Sequence, residues 1–209
     1  MKATFQKLIT PGTLDASRAR WGILMLMCLS FAALLLAPAL MPEDYSWLTQ
    51  TTSESAAQGL DGAWLARLGF LLFGLAVLWL SSTAREIWAQ TAVWMHIGFG
   101  VMMVATAAFS HQPFTPGVPF DPVEDWLHSF TATLMGFAFS FGVFFRFLQR
   151  GKSAIQVLDL AALASAIVMP LLMMNIPGIG GLIQRMMFLM SYLWYGTEAW
   201  RVGELPKRV

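Results

Sequence analysis

The sequence predicts an all-α integral membrane protein, a polytopic six-helix bundle with both termini on the cytoplasmic side. Three observations predict it. The 209 residues are 57% hydrophobic and only 12% charged, where a soluble domain carries about a quarter charged residues. Six apolar stretches, at about 21–41, 63–82, 89–110, 126–147, 154–175 and 181–200, approach the roughly 20 residues needed to cross about 30 Å of hydrocarbon. Basic residues are confined to alternate connections, as the positive-inside rule requires of a multi-pass chain.

The first 20 residues form a basic cytoplasmic tail holding Lys2, Lys7, Arg18 and Arg20. The first apolar run follows, and it contains Ala37-Pro38-Ala39, which resembles a cleavage site. Its apolar core is longer than the 7–15 residues usual in a secretory signal, so it is expected to be retained as a helix. Cys28 inside this run is the single cysteine, and an intramolecular disulfide is impossible. The connection at 42–62 is long and polar, rich in Ser, Thr and acids. The second connection carries Arg85, and the third, from His111 to Pro122, holds four prolines and must be largely non-helical. Arg146, Arg150 and Lys152 fall around the fourth connection, and Arg201, Lys207 and Arg208 in a cytoplasmic tail at 201–209. Eleven of the thirteen basic residues thus share one side. Glu43, Asp44, Glu54, Asp61, Asp121, Glu124 and Asp125 occupy loops of the other side, which hold no basic residue. The bacterial inner membrane is the expected location.

Tryptophans mark both boundaries, with Trp47, Trp64 and Trp126 on the outer side and Trp88, Trp194 and Trp200 on the inner, as in interfacial belts. Glycines such as Gly69, Gly74, Gly98, Gly100, Gly136 and Gly142 offer close helix approach. Pro170 within the fifth span is expected to kink it. The formal net charge of +1 supplies no basic surface for nucleic acid.

Ionisable residues in membrane spans are costly and often functional. Arg67 follows Asp61 by six residues, about 9 Å along a helix, and Arg185 lies near the outer end of the sixth span. Either both arginines snorkel to the interface, or Glu54, Asp61, Asp121 or a lipid phosphate fixes them. Toward the cytoplasm, His96, Asp159 and Glu198 form a buried polar cluster or proton path if their helices meet; otherwise the two acids are interfacial and His96 makes one interhelical hydrogen bond. At the start of the fourth span stand Asp121, Glu124, Asp125 and His128. Capping accounts for the acids, since helix amino termini favour negative charge, and Pro122 suits the first turn. His128 could accept a proton, orient an acid or, with His111 and Asp121, bind zinc, although neither HxxxH nor HExxH is present.

The segment from Tyr45-Ser46 through Thr52-Ser53-Glu54 to Gly59, and then Phe120-Asp121-Pro122 with Leu127-His128, resembles two signatures of the bacterial membrane proteins grouped as domain of unknown function 998. The resemblance implies a six-helix bundle without an assigned activity, and it marks Ser53, Glu54, Asp121 and His128 as the family-like polar residues. Ala56-Ala57 and the proline-rich third connection depart from the pattern. Ser53, Asp121, His111 and His128 are also similar in type to the Ser, Asp and His set of the zinc membrane hydrolases that include alkaline ceramidases. The helix count and the missing HxxxH oppose that comparison.

Two function classes follow. The first is a non-catalytic module whose acidic outer face binds membrane lipids or a partner protein, or supports a membrane-protein complex, using Arg67, Arg185 and Asp61. The alternative is an intramembrane metal-dependent hydrolase or transferase acting on a lipid, with Asp121 and His128 at the site, Ser53 and Glu54 as further catalytic candidates, and zinc as cofactor. The first is the expectation, because no complete catalytic signature is present.

Overall fold

A computed structural model describes residues 16–150, 153–176 and 178–202, all of it helix and connections without a strand. The helices are α1 (Ala16–Leu36), α2 (Ala63–Ala84), α3 (Gln90–Ala108), α4 (Pro122–Arg150), α5 (Gln156–Asn175) and α6 (Gly180–Val202). Each expected span overlaps one of them. The first helix begins at Ala16 and the sixth runs to Val202, so helix extends into the segments expected as tails at 1–20 and 201–209. The remaining tail residues, 1–15 and 203–209, lie outside the described residues, as do Gly151, Lys152 and Pro177.

Five helices, α1 to α5, are long and apolar enough to cross a membrane. The sixth is long enough but too polar, because it carries Gln184, Arg185, Glu198 and Arg201 among four aromatic residues with polar atoms, Tyr192, Trp194, Tyr195 and Trp200. Most of those groups find partners inside the bundle, as described below.

Each helix packs on its neighbour in sequence, and α6 returns to α1, closing a ring across which α2 also touches α6. Successive helices run in alternating directions, so neighbours in sequence are neighbours in space. One end of the ring, the loop end, carries connections 37–62, 109–121 and 176–179. The other, the arginine end, carries connections 85–89 and 151–155.

The core forms around α2. Ala66, Phe70, Phe73, Val77, Leu80 and Ala84 recur at three- and four-residue steps and are fully buried. Phe73 stacks on Tyr192 at 4.2 Å and meets Phe99 and Tyr195 edge-on. On its other side α2 approaches α3 through Gly74 and Gly100. A Cβ on Gly74 would lie 2.9 Å from the Gly100 carbonyl oxygen, so the two backbones touch where only small residues fit.

Not every expectation about the boundaries holds. Trp47, Trp64, Trp126 and Trp200 are exposed, but Trp88 and Trp194 are 4% and 0% exposed and belong to the core. They are buried because they surround His96 and two arginines. Pro170 lies inside α5, whose helix continues to Asn175. No described residue of α5 beyond Ser165 is buried, and Leu171 to Asn175 are exposed.

Candidate functional site

The loop end is a hydrogen-bonded cap. Gln184 on α6 accepts the amides of Thr52 and Ser53 at 2.7 and 3.3 Å, and its amide nitrogen donates to the Ser53 hydroxyl at 3.4 Å. Arg185 donates through Nη1 to the carbonyls of Trp47, Gln50 and Gly181 at 2.9 to 3.0 Å, and through Nη2 to the Tyr45 hydroxyl at 2.6 Å. The Trp47 ring lies 5.0 Å from this guanidinium. Burial pushes the Tyr45 phenol up, against the pull of the adjacent Arg185 charge. Glu54 closes a local turn by accepting the Thr51 amide and hydroxyl at 2.6 and 2.8 Å. Arg67 Nε donates to the Ala56 carbonyl at 3.2 Å.

The two loop-end arginines therefore hold backbone carbonyls. Among the described residues, neither makes the ion pair with Glu54, Asp61 or Asp121 that the sequence allowed. Asp61 itself is exposed. Carbonyls replace carboxylates because the 42–62 loop folds over both side chains and its backbone oxygens need donors there.

The acids at the start of α4 serve the backbone. Asp121 accepts the Val123 amide at 2.8 Å and the Glu124 amide at 3.4 Å, the geometry of an amino-terminal cap. Glu124 accepts the Ser110 amide and Asp125 the Gln112 amide, each at 2.8 Å, which ties the proline-rich connection to α4. Gln58 joins the two loops by accepting the Asp121 amide and donating to the carbonyls of Ser110 and Asp121. His128 is 1% exposed and its Nδ1 donates to the Phe109 carbonyl at 2.9 Å. His111 approaches Asp125, not Asp121, at 3.9 Å, and its ring meets that of His128 at right angles with centroids 5.4 Å apart. The metal set suggested by the sequence, His111 with Asp121 and His128, is not gathered: among the described residues no group of three or more His, Cys, Asp or Glu could hold a metal ion. The Asp121 carboxylate is drawn instead to its own helix amino terminus.

Beneath the cap, α1 and α6 enclose a cleft of about 210 Å³. Its walls are apolar, including Phe31, Leu35 and Leu189, and its polar contributors are Thr52, Arg185 and the Tyr192 hydroxyl. Thr52 is 2% exposed and its Oγ1 has no partner among the described residues. Arg185 brings a positive charge without a carboxylate in ion-pair range among the described residues. Of its five N–H groups, Nε–H and one on Nη2 make no hydrogen bond to a described residue.

The arginine end holds a cluster that the sequence foreshadowed only in part. Arg146 donates from Nε and Nη2 to Glu198 Oε2 at 3.2 and 3.0 Å. Arg150 Nη2 lies 2.6 Å from Glu198 Oε1, and its Nε 3.4 Å from Asp159 Oδ2. Trp194 donates to the other oxygen of Asp159 at 2.8 Å. All four charged side chains are at most 7% exposed. Two cations and two anions balance, which is what makes burial tolerable. His96 stacks on Trp194 at 4.8 Å between centroids and its Nδ1 is 2.9 Å from the Tyr195 hydroxyl. The helices of His96, Asp159 and Glu198 do meet, but the acids pair with arginines and not with the histidine. Arg146 and Arg150, read in the sequence as loop charges, are the groups that reading missed. Their four-residue spacing, which puts them on one helix face, beside unpaired acids at 159 and 198, was the available signal.

A helical bundle with five membrane-length apolar helices, capped by polar loops at one end and ion-paired at the other, defines a multi-pass membrane protein. The chain belongs to the family described as Protein of unknown function (DUF998), whose sequence profile matches residues 25–201. No curated protein matches it, and no solved structure does.

Proposed function

We propose that the protein is a non-catalytic membrane module that binds a lipid with a phosphate headgroup at its loop end, in the cleft between α1 and α6. The loop end faces away from the cytoplasm of a bacterial inner membrane, since the sequence places eleven of its thirteen basic residues toward the other side. The observation that carries the reading is the cleft itself, where an Arg185 charge and a Thr52 hydroxyl, the one without a carboxylate and the other without a partner among the described residues, flank an apolar slot. An arginine with free N–H groups suits a phosphate, the slot suits an acyl chain, and Trp47 suits the headgroup boundary.

The acidic residues are poor candidates for the binding surface, because Glu54, Asp121, Glu124 and Asp125 already accept backbone amides. A protein partner would instead meet the exposed apolar helix faces.

Mass spectrometry of phospholipid retained by the detergent-purified protein tests the reading. Leu35→Trp, which blocks the slot, and Thr52→Val, which removes the free hydroxyl at constant shape, are both expected to lower retained phosphatidylglycerol. Equal retention by the wild type and the blocked variant would refute lipid binding at this site.

A further inference from the structure

A second cavity lies on the opposite side of α6. We propose that it is a binding site for the ring of a membrane-soluble quinone, with a ring carbonyl accepting a hydrogen bond from Ser165.

The cavity measures about 160 Å³ and is lined by residues of α2, α3, α4, α5 and α6. Apolar cavities of about 150 Å³ take up a benzene ring, so this one is ring-sized. Four phenylalanines, Phe70, Phe99, Phe139 and Phe188, supply flat walls. Phe188 lines both this cavity and the α1–α6 cleft, so the two spaces adjoin.

Ser165 specifies the chemistry. Serine and threonine in helices commonly return their hydroxyl to the carbonyl four residues earlier. Ser81, Thr83, Thr106, Thr131, Thr133, Ser140, Ser191 and Thr197 all do so here. Ser165 is 9% exposed and faces the cavity, yet its hydroxyl makes no hydrogen bond among the described residues. Gln184 adds a second donor: of its two amide hydrogens one is directed at Ser53, and the side chain lines the same space. A plain acyl chain has nothing for Ser165 to donate to at mid-helix depth, whereas a quinone ring carries a carbonyl oxygen on either side.

Access is from the bilayer. Gly136 on α4 lines the cavity, is exposed, and has no atom within 4 Å of where its Cβ would stand. Leu171 to Asn175 of α5 are exposed as well. The cavity wall at Gly136 thus reaches the side of the bundle, where a lipid-phase molecule arrives.

Equilibrium dialysis with detergent-solubilised protein separates the possibilities, using duroquinone and durene, the same methylated ring with and without the two oxygens. Full ring substitution also protects Cys28 from arylation. Saturable duroquinone binding is expected, weakened about three- to tenfold by Ser165→Ala, the effect of one net hydrogen bond. Durene should bind less tightly and be indifferent to Ser165→Ala, and Ala132→Phe should abolish both by filling the space. Three results would overturn the proposal: no saturable duroquinone binding by folded wild type, equal affinities for the two ligands, or binding unaltered in Ala132→Phe. Phospholipid retention at the α1–α6 cleft is measured separately and should not respond to Ser165→Ala.

Discussion

Arg146 and Glu198 are 52 positions apart in sequence and share two hydrogen bonds, of 3.2 and 3.0 Å, inside the arginine end of the bundle. The Glu198 carboxylate is the hub of that end, since its other oxygen faces Arg150 at 2.6 Å. It joins α4 to α6, while Asp159 brings in α5.

Neutralising Glu198 leaves two buried guanidinium groups facing one carboxylate. Glu198→Gln should therefore destabilise by about 3–5 kcal/mol, the cost of breaking a buried pair. Asp159→Asn keeps an oxygen for the Trp194 indole and loses only a 3.4 Å contact, so it should cost less. Thermal unfolding in detergent measures both, and a larger loss for Asp159→Asn would contradict the hub role.

Gly142 lies against the His96 ring, and a Cβ there would stand 2.6 Å from Cε1. Gly142→Ala should cost about 1–3 kcal/mol by overpacking. Combined with His96→Ala, which vacates the space, the penalty should shrink, giving a coupling energy in a double-mutant cycle. Strict additivity would show that the two residues do not meet as described.

Gln184 holds two amides of the 42–62 loop. Gln184→Leu leaves them without an acceptor, at about 1–3 kcal/mol for each buried group. Hydrogen exchange should rise in that loop and stay unchanged in α3. Gln184→Glu, which keeps an acceptor, should largely preserve protection.

The two ends of the bundle should be reachable from opposite sides of the membrane. On a Cys28→Ser background, Glu43→Cys and Phe120→Cys should be labelled by an impermeant maleimide from outside intact cells. Arg85→Cys should be labelled only after the cells are opened. Labelling of all three from one side would refute the arrangement.

The helices were legible in the sequence because a bilayer demands length and apolarity of each span separately. That demand acts locally, so every expected span overlaps a helix. The proline-rich third connection and the cap at Asp121 were legible for the same reason, since turn chemistry and helix ends act over a few residues. The sixth helix departs in composition because its polar groups are satisfied by distant partners.

What the sequence could not determine is which polar group meets which. Arg146 and Arg150 looked like loop charges, and Trp88 and Trp194 like interfacial anchors, until the packing of α4, α5 and α6 placed them around Glu198, Asp159 and His96. Arg67 and Arg185 looked ready for acids, but the folded loop gave them carbonyls. Both cavities are products of packing as well, since an open space exists only where helices fail to close. By itself the sequence determined the number and order of the helices, because apolarity is a property of a segment. Only the tertiary structure decided the ion pairs, the cap and the cavities, because these are relations between segments that lie far apart along the chain.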